Sequence, residues 1–195
     1  AGYDFKIQLY TVPGQVQYNA TRRVVLAGAD AVVFVADSRR SALKENQAAF
    51  ENMKVNLLAN RLVPEKVPLV VQFNKQDLPD LLPVAELNKA LNPWNRLAFP
   101  TVAADGQGVM EAFTAVVQGM LASIAIKYNL REKGLDPQEV PAIVLQAFAS
   151  VLKQAEAEGP PPATPAALAR VVISQPTDSL HAAPPAASGE AGLVS

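Results

Sequence analysis

The sequence predicts an α/β domain, an open and mostly parallel sheet with helices on both faces. Three observations carry that prediction. Short β-rich runs alternate with amphipathic helical segments, strand then helix, four times over. The run Ala31-Val-Val-Phe-Val-Ala-Asp37 is continuously apolar at strand length, the pattern of a central strand buried on both faces. Chemistry-bearing residues follow directly on strand ends, at Gln15 and at Asn74-Lys75-Gln76-Asp77, and the carboxyl edge of such a sheet forms its ligand crevice.

Phe5 to Val12 alternates and is rich in β-formers, so it is expected to be a strand. Pro13-Gly14 stops it, because proline removes a ladder donor and glycine tolerates unusual backbone angles. Residues 17–28 have a short helical pattern that Gly28 ends. The strand at 31–37 follows, and residues 42–61 then place Leu43, Phe50, Met53 and Leu57 on one helical face. Pro68-Leu-Val-Val-Gln-Phe73 is a further β-rich run. Pro83 suits the first turn of a helix reaching Leu91. Residues 97–103 form the last strand, placed at an edge by Pro100. Val109, Phe113, Val116, Val117, Met120, Leu121 and Ile124 fall on one stripe of a long helix. Each strand-to-strand crossover is expected to be right-handed.

The domain takes residues 1–130. An additional amphipathic helix is expected within 131–157, with Asp136 as its cap, Pro137 at its first position and Glu139 completing a capping box. Its stripe of Val140, Val144, Ala147, Phe148 and Val151 suits docking on the domain better than a free partner-binding face. Residues 158–195 are rich in Pro and Ala without a sustained pattern, the composition of a disordered tail. Within it, residues 168–173 could serve as a short interaction motif, but no role is the better expectation for them.

Composition removes whole classes of chemistry. The 195 residues carry no cysteine, so there is no disulfide framework and no thiolate nucleophile. The one histidine, His181, lies in the Pro/Ala-rich segment, which removes His-based metal sites and Ser-His-Asp triads. Net charge is −1, so no electrostatic argument favours nucleic acid or an acidic membrane. The long helix near 109–126 is interrupted by Glu111 and Gln118, so it is expected to be amphipathic and not to span a membrane.

Two stretches remain for chemistry. A carboxylate has two acceptor oxygens and can take both N–H groups of guanine's Watson–Crick edge, whereas adenine offers no matching donor pair. Asp77 would therefore select guanine, Asn74 would bond the base's N7 edge and tie neighbouring loops, and Lys75 would lay its alkyl stem along the base plane. Ala103 and Ala104, small residues ending the next strand, would let backbone N–H groups approach the base's O6. Gln15, presented after Pro13-Gly14, could orient a water for attack on a phosphate.

Thr11-Val-Pro-Gly-Gln15, Val32-Val-Phe-Val-Ala-Asp-Ser38 and Asn74-Lys75-Gln76-Asp77-Leu78-Pro79 together resemble the Ras-like small GTPases. More narrowly, they are similar to the gliding-motility and cell-polarity branch, the MglA family, over about residues 3 to 127. The resemblance implies a GTP/GDP switch with Mg2+ in the full-length protein. Gly14 would sense the γ-phosphate through its N–H, Gln15 would be the catalytic residue that places water, and Asn74, Lys75 and Asp77, with Ala103 and Ala104, would hold guanine. Gln15 to about Ala27 would be the second switch segment. It further implies a roadblock-fold activating protein, polarity or motility partners, and a cytoplasmic location with recruitment to a cell pole.

Two departures stand out. Thr11 replaces an aspartate that holds the magnesium shell in most relatives, and a threonine cannot supply that charge. No Gly-x-x-x-x-Gly-Lys-Ser/Thr occurs, so these residues are expected to be the C-terminal portion of a longer GTPase whose phosphate-binding loop precedes Phe5. The alternative is a P-loop-less pseudo-GTPase acting as an interaction scaffold. A flavodoxin-like or receiver-like sheet domain is a weaker third reading; in the receiver-like case Asp37 would be the phosphoacceptor, and it lacks an acidic pair upstream.

Overall fold

The computed structural model describes residues 5–12, 19–158 and 170–171. They belong to two units, one of residues 1–9 with 166–195 and one of residues 10–165. In the first, Ile7–Gln8 (β1) pairs antiparallel with Arg170–Val171, Ile7 opposite Val171.

The second unit opens with Asn19–Val25 (α1) and a turn through Gly28, whose φ is 76°. Val32–Asp37 (β2) leads through a short 3-10 turn into Leu43–Ala59 (α2). Leu69–Asn74 (β3), Val84–Leu91 (α3), Ala98–Pro100 (β4) and Val109–Lys127 (α4) complete the alternation. Val140–Glu158 (α5) follows. The sheet order is β2-β3-β4, parallel throughout, with Val32 opposite Leu69, Asp37 opposite Asn74 and Phe73 opposite Pro100.

The core lies on both faces of β3. On one face Phe34, Ala36, Leu69, Val71 and Phe73 meet Phe50, Met53 and Leu57 of α2 and Leu87 and Leu91 of α3. Phe50 sits edge-on to Phe34 at 5.1 Å and against Trp94 at 5.4 Å, geometries that aromatic quadrupoles favour. Val70 and Gln72 alternate to the other face, where α4 packs on β3 and buries Ala112, Val116, Val117, Leu121 and Ala125. α4 is long and apolar enough to cross a bilayer by length and composition. Its buried face and its packing against β3 and α5 make it a core helix of this unit.

Four sequence expectations need correction. The strand foreseen over Phe5 to Val12 is regular only at Ile7–Gln8, which pair with Arg170–Val171. Alternation shows that a segment suits a half-buried pleated surface, not which strand it will pair with. The central strand is β3 and not β2: among the described residues β2 has one neighbour, and its Val35 is 52% exposed. α5 starts at Val140 and not at 137. The Asp136 carboxylate accepts the Gln138 N–H at 3.0 Å and pairs with Arg131 at 3.0 Å, which closes a turn before the helix begins. Pro141 then fits the first helical turn, where its missing N–H has no partner to lose. The capping box through Glu139 does not form; the Glu139 N–H bonds the Asp136 carbonyl instead.

The docking of α5 is as expected for Val140, Val144 and Phe148, whereas Ala147 and Val151 of the expected stripe are exposed. Val140 and Val144 are buried, Phe148 stacks on Phe113 of α4 at 5.5 Å, and Gln118 donates to the Pro141 carbonyl at 3.1 Å.

Candidate functional site

The carboxyl ends of β2, β3 and β4 stand side by side because the strands are parallel and in register. Each ends in residues able to make hydrogen bonds: Asp37-Ser38 after β2, Asn74 to Asp77 after β3, and Thr101 to Asp105 after β4.

Asn74 joins two of these loops. Its Oδ1 accepts the Ala103 N–H at 2.9 Å and the Thr101 hydroxyl at 3.3 Å. The Gln76 N–H adds a bond to the Thr101 carbonyl at 3.2 Å. Gln76 also donates from Nε2 to Ser38 Oγ at 2.7 Å and to the Phe73 carbonyl at 3.1 Å, so it braces the β2 and β3 ends together. Asp77 stands exposed in the same loop, and Ala103 and Ala104 are exposed in theirs. The loop after β4 is held by the Asp105 carboxylate on the Gln107 N–H at 3.0 Å and by the Val102 N–H on the Gln107 carbonyl at 3.0 Å.

One assignment changes. The Ala103 N–H, expected to face a base, is taken by Asn74, so Ala103 serves the tie between loops. Ala104 is the exposed neighbour that follows it.

Lys75 has a backbone φ of 68°, a region that non-glycine residues seldom enter. Its ammonium bonds Asp37 Oδ2 at 2.7 Å. Asp37 is gripped from its own side as well. Arg39 donates Nε to Oδ1 at 3.0 Å and Nη2 to Oδ2 at 2.6 Å, and its backbone N–H reaches Oδ1 at 3.0 Å. The Arg39 guanidinium, foremost, holds the Asp37 carboxyl far below the usual carboxylate range, with Lys75 adding to the effect and burial opposing it. Buried Asn46 on α2 takes both sides of the Asp37 backbone, accepting its N–H at 3.1 Å and donating to its carbonyl at 2.7 Å.

Arg39 and Asn46 were not foreseen as site residues, and Asp37 was considered only as the phosphoacceptor of a receiver-like domain. The available signal was that Asp37-Ser38 ends an apolar strand, as Asn74-Lys75 does. Gly14 and Gln15 lie outside the described residues, and Thr11 is exposed. Among the described residues no group of three or more Asp, Glu or His side chains gathers as a metal ion would require.

Residues 2–120 match the model of the ADP-ribosylation factor family. The chain belongs to that family. The family is one of the Arf/Ras-like group, and the chain has its open parallel sheet between helices. It is 42% identical over 123 residues to the Mutual gliding-motility protein MglA of Myxococcus xanthus (strain DK1622), covering 63% of each chain. It is 30% identical over 122 residues to the Putative ras-related protein Rab-5B of Dictyostelium discoideum, covering 60% of this chain and 54% of that one. The chain thus spans less than two thirds of the length of either relative.

Proposed function

We propose that this chain carries the base-recognition half of a guanine-nucleotide switch, and that the whole protein binds GTP and GDP and hydrolyses GTP in gliding motility or cell polarity. The observation that carries the reading is the Asn74 tie to Ala103, which sets the Asp77 loop beside the Ala104 loop at the carboxyl edge of the sheet. The chemistry of the residues present fits a guanine base. Asp77 offers two acceptors to the ring N1–H and the exocyclic amine. Lys75 offers an alkyl stem to the base face, and the Ala104 N–H is the contact for O6. For Mg2+, which the family fold implies, no group of three or more Asp, Glu or His side chains gathers among the described residues. From the sequence, Gly14 would sense the γ-phosphate and Gln15 would orient the attacking water. By the family resemblance of its motifs, the whole protein would be cytoplasmic, recruited to a cell pole and served by a roadblock-fold activator.

The test is base selectivity in the full-length protein. An asparagine at 77 presents one acceptor and one donor, which matches xanthine's N1–H and 2-oxo group instead of guanine's two donors. Asp77→Asn should weaken GDP binding by roughly tenfold to a hundredfold, as the loss of a bidentate pair does, and improve XDP binding. Unaltered GDP-over-XDP preference sinks the assignment. Gln15→Leu should slow single-turnover GTP hydrolysis by about tenfold or more while leaving GTP affinity in place; an unchanged rate removes the glutamine from the mechanism. A full-length protein that holds its partners equally well with and without nucleotide, and after Asp77→Asn, would instead be an interaction scaffold.

A further inference from the structure

The Asp37 carboxylate is the most firmly held group at the carboxyl edge of the sheet, and the guanine reading gives it no task. Its backbone is clasped by Asn46, and its two oxygens are occupied by Arg39 in a bidentate fork of 3.0 and 2.6 Å. The Asp37 side chain is 17% exposed and that of Lys75 is 42% exposed. The turn it belongs to is stitched to the loop that follows β3. The Ser38 N–H bonds the Asn74 carbonyl at 3.0 Å, and the Leu82 N–H bonds the Ser38 carbonyl at 2.9 Å. Arg40 adds a bond to the Asp80 carbonyl at 2.9 Å. Lys75 is the opposite case. It projects from a left-handed backbone position, and its long side chain has several rotatable bonds whose freedom must be lost before it can lie in one place. Its ammonium ends on Asp37 at 2.7 Å.

A fixed partner and a flexible one divide their roles by that difference. An ion pair this open to water adds little to the stability of the fold. What it can do is choose one direction for the lysine stem before a ligand arrives, and ordering a side chain in advance lowers the cost of binding. We propose that Asp37 is a positioning residue for the nucleotide base: held by Arg39 and Asn46, it anchors the Lys75 ammonium so that the lysine stem forms a ready floor for the purine face. The inference rests on the guanine reading and deepens it, because it names what prepares Lys75. Asp37 touches the lysine and not the ligand. It should affect how long a purine nucleotide is retained and not which purine is preferred.

The experiment measures release of a fluorescent GDP from the full-length protein and from Asp37→Asn, Asp37→Ser, Lys75→Ala and the two double variants. Asp37→Asn should speed release by about tenfold, the scale of one charge-assisted hydrogen bond. Asp37→Ser should do the same, although its hydroxyl can still accept the Arg39 N–H and keep the turn. It remains informative if the asparagine variant fails to fold. In the Lys75→Ala background either change at Asp37 should add less than twofold, since the group it orients is gone. A role confined to holding the turn would instead give effects that multiply in full. Full multiplication, or release within twofold of wild type in both single variants at Asp37, overturns the proposal while leaving guanine recognition standing. A wild-type protein that retains no fluorescent GDP overturns the guanine reading and this inference with it.

Discussion

Gly106 and Gly108 follow Ala103 and Ala104 and close their loop, and both have left-handed backbones, with φ of 84° and 72°. Their surroundings differ. A Cβ at Gly106 would meet nothing within 4 Å, whereas at Gly108 it would lie 2.4 Å from the Pro100 carbonyl oxygen and 3.1 Å from Thr101 Cγ2. Gly106→Ala should therefore cost only the conformational term, about 1 kcal/mol. Gly108→Ala adds a clash with backbone that cannot turn aside, and should cost about 2–4 kcal/mol. Urea unfolding of the two variants checks this, and equal losses would mean that the approach to Pro100 does not constrain the loop. Residue types at the strand ends were legible in the sequence, because Asn-Lys-x-Asp, which an ordinary turn also suits, falls at a strand's carboxyl end inside a strand-helix repeat. The bond between Lys75 and Asp37 was not. It joins residues 38 apart, and it follows from the β2-β3 register, which a sequence pattern does not encode.

Among the elements, the helices were the more legible, because period 3.6 shows directly which face is buried. Phe50, Met53 and Leu57 are buried on α2, and Val116, Val117 and Leu121 on α4, as their spacing requires. Helix starts were less legible, because a capping residue can close a turn of its own, as Asp136 does ahead of Val140. α4 and α5 meet through Phe113 and Phe148. Phe113 and Phe148 are only half-buried, and their rings are parallel, 1° apart in tilt, at 5.5 Å. Phe148→Ala should remove a stacked pair and part of the covered area, about 1–2 kcal/mol, less than a fully buried phenylalanine would cost. Hydrogen exchange should quicken through α5 and leave β3 protected. Equal quickening in both would mean that α5 and the sheet open as one unit.

At the scale of the molecule, alternation of strand and helix was sufficient for the architecture, because parallel strands need crossovers and helices supply them. Strand order was beyond its reach. β2 read as central because it is apolar throughout, but an apolar run reports hydrophobic neighbours and not their number. The same separation of fold from site gives a prediction about α5. Its contacts run to α4, while the bonds that tie the Asp37, Asn74 and Ala103 loops come from β2, α2, β3 and the segment after β4. Deleting residues 134–158 from the full-length protein, which keeps Arg170–Val171 as the partner of Ile7–Gln8, should therefore cost stability and spare the site. The deletion uncovers Phe113 and removes the buried side chains of Leu135, Val140 and Val144, each worth about 1.5–3 kcal/mol of burial. The ordering entropy of the helix, no longer required, offsets much of that. The net loss should be about 2–4 kcal/mol, a fall of roughly 5–15 °C in melting temperature for a chain of this size. GDP affinity and the preference for guanine over xanthine should stay within about twofold of the intact protein, since no ordered group at the strand ends is bonded to α5. A deletion variant that melts as expected but loses its guanine preference would show that α5 acts on the nucleotide site through α4, and would make the added helix part of the switch instead of a cover for its core.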